Sequence, residues 1–192
     1  LMALSLCLSF ASCSKKEEPK TESGKETVET KNPQQELESA VENAKILSVY
    51  KSDKAVVSVG DNREAVEKSL GEAESSGNYS LKYEGLTIYL DETVNMITIT
   101  GEDYTGYADA QIGMSIDELK KNVDKEEYYE EVQEDIGFYR MTFAADENGE
   151  LIKNPDQTTS VTAPYLFIIT SNNYGGESTI THMQLKDNRN EE

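Results

Sequence analysis

Two stretches of the chain read alike, and their recurrence limits the folds open to it more than any other feature. Val59-Gly60-Asp61-Asn62-Arg63-Glu64-Ala65-Val66-Glu67-Lys68-Ser69-Leu70 overlays Ile112-Gly113-Met114-Ser115-Ile116-Asp117-Glu118-Leu119-Lys120-Lys121-Asn122-Val123 at an offset of 53 positions. Gly falls on Gly, Val66 on Leu119, Lys68 on Lys121 and Leu70 on Val123. Each stretch runs from a β-type residue and a glycine through a short polar cap into two amphipathic helical turns. In the first, Asp61 or Asn62 is the cap and Gly71 the stop. In the second, Ser115 is the cap, and Asp124 in place of a glycine leaves the helix free to run on toward Tyr128. One structural unit used twice is the expectation.

Strand patterning surrounds both helices. Short β-rich runs at 46–50 and 55–59 flank a turn at 51–54. Tyr79, Leu81 and Tyr83 then alternate with polar residues, as do Leu86, Ile88 and Leu90, and a run from Val94 to Ile99 follows. The first unit therefore reads as a helix and a three-stranded antiparallel meander. In the second, Tyr139, Met141 and Phe143 share a face, Asn148-Gly149 is a hairpin turn, and residues 154–164 are an inserted loop. Residues 165–170 are apolar on both faces, as a doubly covered strand is. The final strand repeats a spacing: Val94, Ile97 and Ile99 match Ile180, Met183 and Leu185. The expected class is α+β, with two tandem repeats at 44–101 and 102–187, each a short helix followed by antiparallel strands, and a disordered tail at 188–192.

The start of the chain gives an address. Residues 1–11 are apolar and uncharged, too short for the roughly twenty residues a spanning helix needs and the length of a signal-peptide core. Phe10-Ala11-Ser12-Cys13 precedes an abrupt polar stretch. This resembles the bacterial lipoprotein lipobox, with Phe10 where Leu is usual, which implies cleavage after residue 12 and a lipid on Cys13. No basic segment precedes the apolar run, so the chain is expected to begin within a longer precursor. Residues 13–43 form a flexible tether, nearly devoid of apolar side chains up to Glu36 and carrying a weak helical pattern at Leu37, Ala40, Val41 and Ala44. Cys7 and Cys13 are the only cysteines, which leaves the domain without a disulfide, a thiolate nucleophile or a cysteine metal site.

Charge narrows the partners. A formal net charge of −19 falls almost wholly outside the tether, and it repels nucleic acid and anionic headgroups. No catalytic or cofactor centre assembles: His182, the only histidine, sits on the polar alternate face of its strand beside Gln184. Asp146-Glu147-Asn148-Gly149-Glu150 starts like a calcium loop but lacks the distal bidentate glutamate, so a hairpin turn is expected there and no metal site. Eleven tyrosines and no tryptophan stand out. Tyr104, Tyr107, Tyr128, Tyr129 and Tyr174 fall in expected loops or helix ends, and with Glu126, Glu127, Glu130 and Glu131 they make a candidate acidic-aromatic surface for a protein partner.

The glycine, polar cap, two-turn helix and V-x-x-I-x-I terminal strand resemble the SmpA/OmlA (BamE-like) family of outer-membrane lipoproteins. The tandem arrangement resembles the β-lactamase inhibitor protein family. These resemblances imply protein binding or envelope assembly rather than catalysis, by analogy of fold. The expectation is a non-enzymatic lipoprotein of the cell envelope that engages the membrane through lipidated Cys13 and a protein partner through its domain. The alternatives are an envelope hydrolase using carboxylates and a small-ligand or calcium-binding lipoprotein. Intact-mass measurement of the mature protein is expected to find acylated Cys13 as its first residue, and Cys13→Ser to release the protein from membranes. A mature N-terminus elsewhere would overturn the address.

Overall fold

The computed structural model describes residues 46–171 and 178–189. The signal-like run, Cys13, the tether and the helical pattern near Leu37 lie outside them. The described chain opens with a hairpin of β1 (Ser48–Lys51) and β2 (Lys54–Ser58), turned by Ser52 and Asp53 at φ of 50° and 62°. Helix α1 (Arg63–Leu70) is capped by Asn62, whose side chain accepts from the Ala65 N–H at 2.9 Å. Asp61 turns back instead and accepts from the Ser58 N–H at 2.7 Å. There follow β3 (Ser75–Ser76), β4 (Ser80–Tyr83), β5 (Leu86–Leu90) and β6 (Val94–Ile99). The rest comprises α2 (Ile116–Leu119), β7 (Tyr128–Gln133), β8 (Phe138–Ala145), α3 (Thr159–Thr162), β9 (Tyr165–Ser171) and β10 (His182–Asp187).

The class is α+β, and eight strands make one antiparallel sheet in the order β3-β4-β5-β6-β10-β9-β8-β7. Strands β6 and β10 therefore meet at its centre. Register across seven strands aligns Leu81, Ile88, Ile97, Leu185, Phe167, Phe143 and Tyr128 in one row. The adjacent row on the same face runs Tyr83, Leu86, Ile99, Met183, Ile169, Met141 and Glu130. Residues directly opposite one another share a face, so alternation within each strand becomes one continuous apolar surface. Val66 of α1, Ile116 and Leu119 of α2, Val49 and Val57 of the hairpin, and Tyr104 and Ala110 of the connecting segment pack over it to form the core.

Both helices are tied to the sheet in the same way. The Gly60 N–H donates to the Val94 carbonyl at 2.8 Å, and the Val94 N–H donates to the Asp61 carbonyl at 2.7 Å. The Gly113 N–H donates to the Ile180 carbonyl at 2.8 Å, and the Ile180 N–H to the Met114 carbonyl at 2.8 Å. Gly60 and Gly113 hold φ of 94° and 87°, a conformation that strains any residue with a Cβ.

The structure departs from the sequence reading at several points. The first half has four strands rather than three, because Ser75 and Ser76 pair with Lys82 and Leu81 as an outer strand. Tyr79 does not join Leu81 and Tyr83 in the core but is 69% exposed, since β4 starts only at Ser80 and the Gly77 N–H turns back to the Ser80 carbonyl. Helix α2 does not continue toward Tyr128. Bonds of the tighter i to i+3 type from Lys121 and Asn122 close it, and Asp124 with Glu127 forms a new capping box over the 3₁₀ turn Lys125–Glu127. Tyr128, Tyr129 and Val132 then join an edge strand paired with β8. The 154–164 loop carries α3, which packs with Ala144, Leu166 and Ile152 as a small second apolar cluster through Ala163. Asn188 and Arg189, expected in a loose tail, are anchored: the Asn188 amide donates to the Ala163 carbonyl at 2.9 Å, and Arg189 pairs with Asp187 at 2.7 Å.

Candidate functional site

The face opposite the core follows from the same register. One row runs Lys82, Thr87, Thr98, Gln184, Ile168, Thr142 and Tyr129, and the next runs Ser80, Tyr89, Met96, Lys186, Leu166 and Ala144. A third, shorter row holds His182, Thr170, Arg140 and Glu131. Among the described residues, α3 and the loop around it cover this face at the Ala144 and Leu166 corner. Elsewhere Thr142 is buried, Tyr89 is 38% exposed, and Met96, Thr98, Phe138, Ile168 and His182 are intermediate. Antiparallel sheets with one face open to water carry polar residues there. This one sets Tyr89, Met96, Phe138 and Ile168 among its polar residues, and the Gln184 amide donates to the Met96 sulfur at 3.1 Å.

Charge on the open face runs against the rest of the chain. Lys82, Arg140 and Lys186 stand there with Glu131 as the one carboxylate of the three rows, within a chain of net charge −19. Arg140 Nε lies 3.7 Å from Glu131 Oε2.

The expected tyrosine surface does not form as one patch. Tyr104 is 5% exposed and belongs to the core, packed there by its connecting segment. Tyr107 is half-buried, meets the Phe143 ring edge-on at 5.2 Å, and donates to Glu127 Oε2 at 3.4 Å. Tyr128 also lies against Phe143 on the core side of β7, with centroids 5.8 Å apart. Tyr129 alternates to the open face beside Thr142. Tyr174 lies outside the described residues. The accompanying carboxylates are mostly matched: Glu127 with Lys153 at 2.7 Å, Glu130 with Lys120 at 2.6 Å, and Glu131 with Arg140.

The residues that sequence reasoning missed are Tyr89, Met96, Phe138 and Ile168. For Tyr89, Met96 and Phe138 the only signal was position on the polar alternate of strands whose other face is apolar, whereas Ile168 belongs to a strand apolar on both faces and packs against the Ala144, Ala163 and Leu166 cluster.

Titration marks the same sheet. Burial, the largest single influence, works to raise the Glu130 pKa, but the hydrogen bond and charge of Lys120 together with Tyr139 and Lys125 outweigh it and hold the carboxylate below its usual range. Tyr139, fully inside, turns its hydroxyl toward Glu130 without a hydrogen bond of standard geometry, and burial raises its pKa. Among the described residues no group of three His, Cys, Asp or Glu gathers as metal ligands. Asp146 accepts from the Asn148 and Glu150 N–H groups at 2.8 and 2.9 Å, so the 146–150 segment is a side-chain-stabilised turn.

Burial lowers the His182 pKa below its usual value of 6.5. The unfolded chain therefore binds that proton more readily than the folded one, and stability is lost as pH falls from about 6.5 through the lowered folded-state pKa. In urea titrations between about pH 7.5 and 5.5, where the carboxylates remain largely ionised, His182→Gln is expected to flatten this decline. Equal slopes for the two chains would contradict it. No family model matches the chain, and neither a curated protein nor a solved structure matches it.

Proposed function

We propose that this protein is a lipid-anchored extracytoplasmic binding module that docks a protein partner on the open face of its eight-stranded sheet. The observation that carries the reading is the composition of that face: large apolar side chains with Lys82, Arg140 and Lys186 around them on a surface that the described residues cover only in part, in an otherwise acidic chain. Tyrosine, methionine and arginine are enriched at protein interfaces, and a partner with an apolar centre and carboxylates around it complements this surface. The lipidated Cys13 and the tether hold the module at the envelope surface and let it reach its partner.

The domain is built, on this reading, from two copies of one helix-and-strands unit, as the resemblance to the SmpA/OmlA and β-lactamase inhibitor protein families implies. The matched backbone hydrogen bonds of Gly60 with Val94 and of Gly113 with Ile180 support it. So does the strand order, in which each half lists its strands outward from the β6–β10 seam in reverse sequence. Binding rather than general-acid hydrolysis is supported by the carboxyl groups whose pKa moves. Glu130, Asp156 and Asp187 all move downward, held ionised by hydrogen bonds, whereas a general acid needs the opposite displacement.

The double substitution Tyr89→Ser, Met96→Ser tests the docking face. Away from the core, such changes cost little stability. Capture of a discrete envelope protein by the purified chain is expected to fall by about tenfold or more, as loss of central interface side chains gives. Unchanged capture, with the melting temperature also unchanged, would sink the proposal.

A further inference from the structure

On the covered side of the sheet, away from the docking face, the β1–β2 hairpin, the connecting segment and the loop before β7 enclose a cleft of about 620 Å³. That volume is in the range of small-molecule sites. Its walls are joined: Tyr50 and Thr105 exchange backbone hydrogen bonds of 2.9 and 3.0 Å between hairpin and connecting segment. The Tyr107 ring is wedged on Phe143, and a Cβ on neighbouring Gly106 would lie 2.5 Å from the Phe167 ring.

The lining chemistry selects the ligand. Tyr50 and Tyr107 supply aromatic surface, and Asp53, Asp109 and Glu127 supply carboxylates. Lys153 is the one cation in the lining, and its ammonium is bonded to Glu127 at 2.7 Å. Glu127 is fixed further by the Tyr107 hydroxyl and the Asp124 N–H. The cleft therefore carries uncompensated negative charge beside aromatic surface. Anions are repelled, and an organic cation gains a Coulombic contact with the carboxylates while its apolar part packs on the aromatic rings. We propose that this cleft binds a small organic ammonium ion with a short apolar stem, the stem against the tyrosines and the ammonium between Asp53 and Asp109.

The experiment is a titration of the full chain with butylammonium, 1-butanol and butyrate, read by the ring resonances of Tyr50 and Tyr107. Butylammonium is expected to shift those resonances saturably, while butanol and butyrate leave them in place. Asp53→Asn with Asp109→Asn fits the site without strain, because asparagine tolerates the φ of 62° and 59° that these residues hold. The double substitution should weaken butylammonium binding about tenfold or more. Asp91→Asn with Glu92→Gln removes the same charge from an exposed turn and should change binding less than about twofold. Equal weakening by both pairs would reduce the effect to the overall field of an acidic protein and overturn the proposal. So would shifts away from these tyrosines, or no saturation up to about 10 mM, a very weak limit for a ligand of this size. If the Asp53 and Asp109 variant fails to fold, the three-ligand comparison on the unsubstituted chain decides by itself.

Discussion

The antiparallel pairing of β6 with β10 is the contact on which the rest of the structure depends. It sets Ile99 against Met183 and Ile97 against Leu185, all four wholly inside. Without it each half would end in an open edge of unpaired backbone groups beside an apolar strand, an arrangement prone to mispairing. With it, two short sheets become one, and one apolar row runs unbroken from β4 to β7 while its neighbour runs from β4 to β8. The sheet then needs only one face covered. Two short helices, a hairpin and the segment around Tyr104 suffice, and helix α2 has just four residues because packing of Ile116 and Leu119, rather than helical length, holds it in place.

Covering one face leaves the other to carry chemistry. Because strand periodicity is two, every residue that builds the core fixes a neighbour on the open side. The placement of Tyr89 and Met96 is thus a by-product of Ile88 and Ile97. The same logic separates the two sites. The proposed docking face lies on the alternate residues of the strands, while the cleft is made of connections that pack on the core side. A partner on one and a small cation on the other need not compete.

Much of this was legible in the sequence where a pattern was local. Alternation marked β4, β5 and β8, two-sided apolarity marked β9, and the caps at Asn62 and Ser115 marked both helices. What failed was decided by tertiary contact. Glu126 to Glu131 are good helix formers around two tyrosines, and only pairing with Phe138 to Phe143 makes Tyr128 to Gln133 a strand. The Asp124-x-x-Glu127 box was the sequence signal that the preceding helix had ended. Tyr104 reads as a loop residue among Gly, Asp and Thr, yet the segment lies across the sheet and buries it. The cleft draws on parts of the chain from Ile46 to Lys153, and no spacing rule brings such parts together. Tyrosines in expected loops stood out by composition, whereas Tyr89 and Met96 lie on the alternate of their strands away from the core, a position that no local pattern singles out.

Amide hydrogen exchange of the folded domain tests the central role of the seam most directly. If β6 and β10 join the halves into one cooperative unit, the backbone amides of Ile97 and Leu185 exchange last and at a common free energy, that of global unfolding. Strands of one half exchanging at a distinctly lower free energy while the other half stays protected would contradict it.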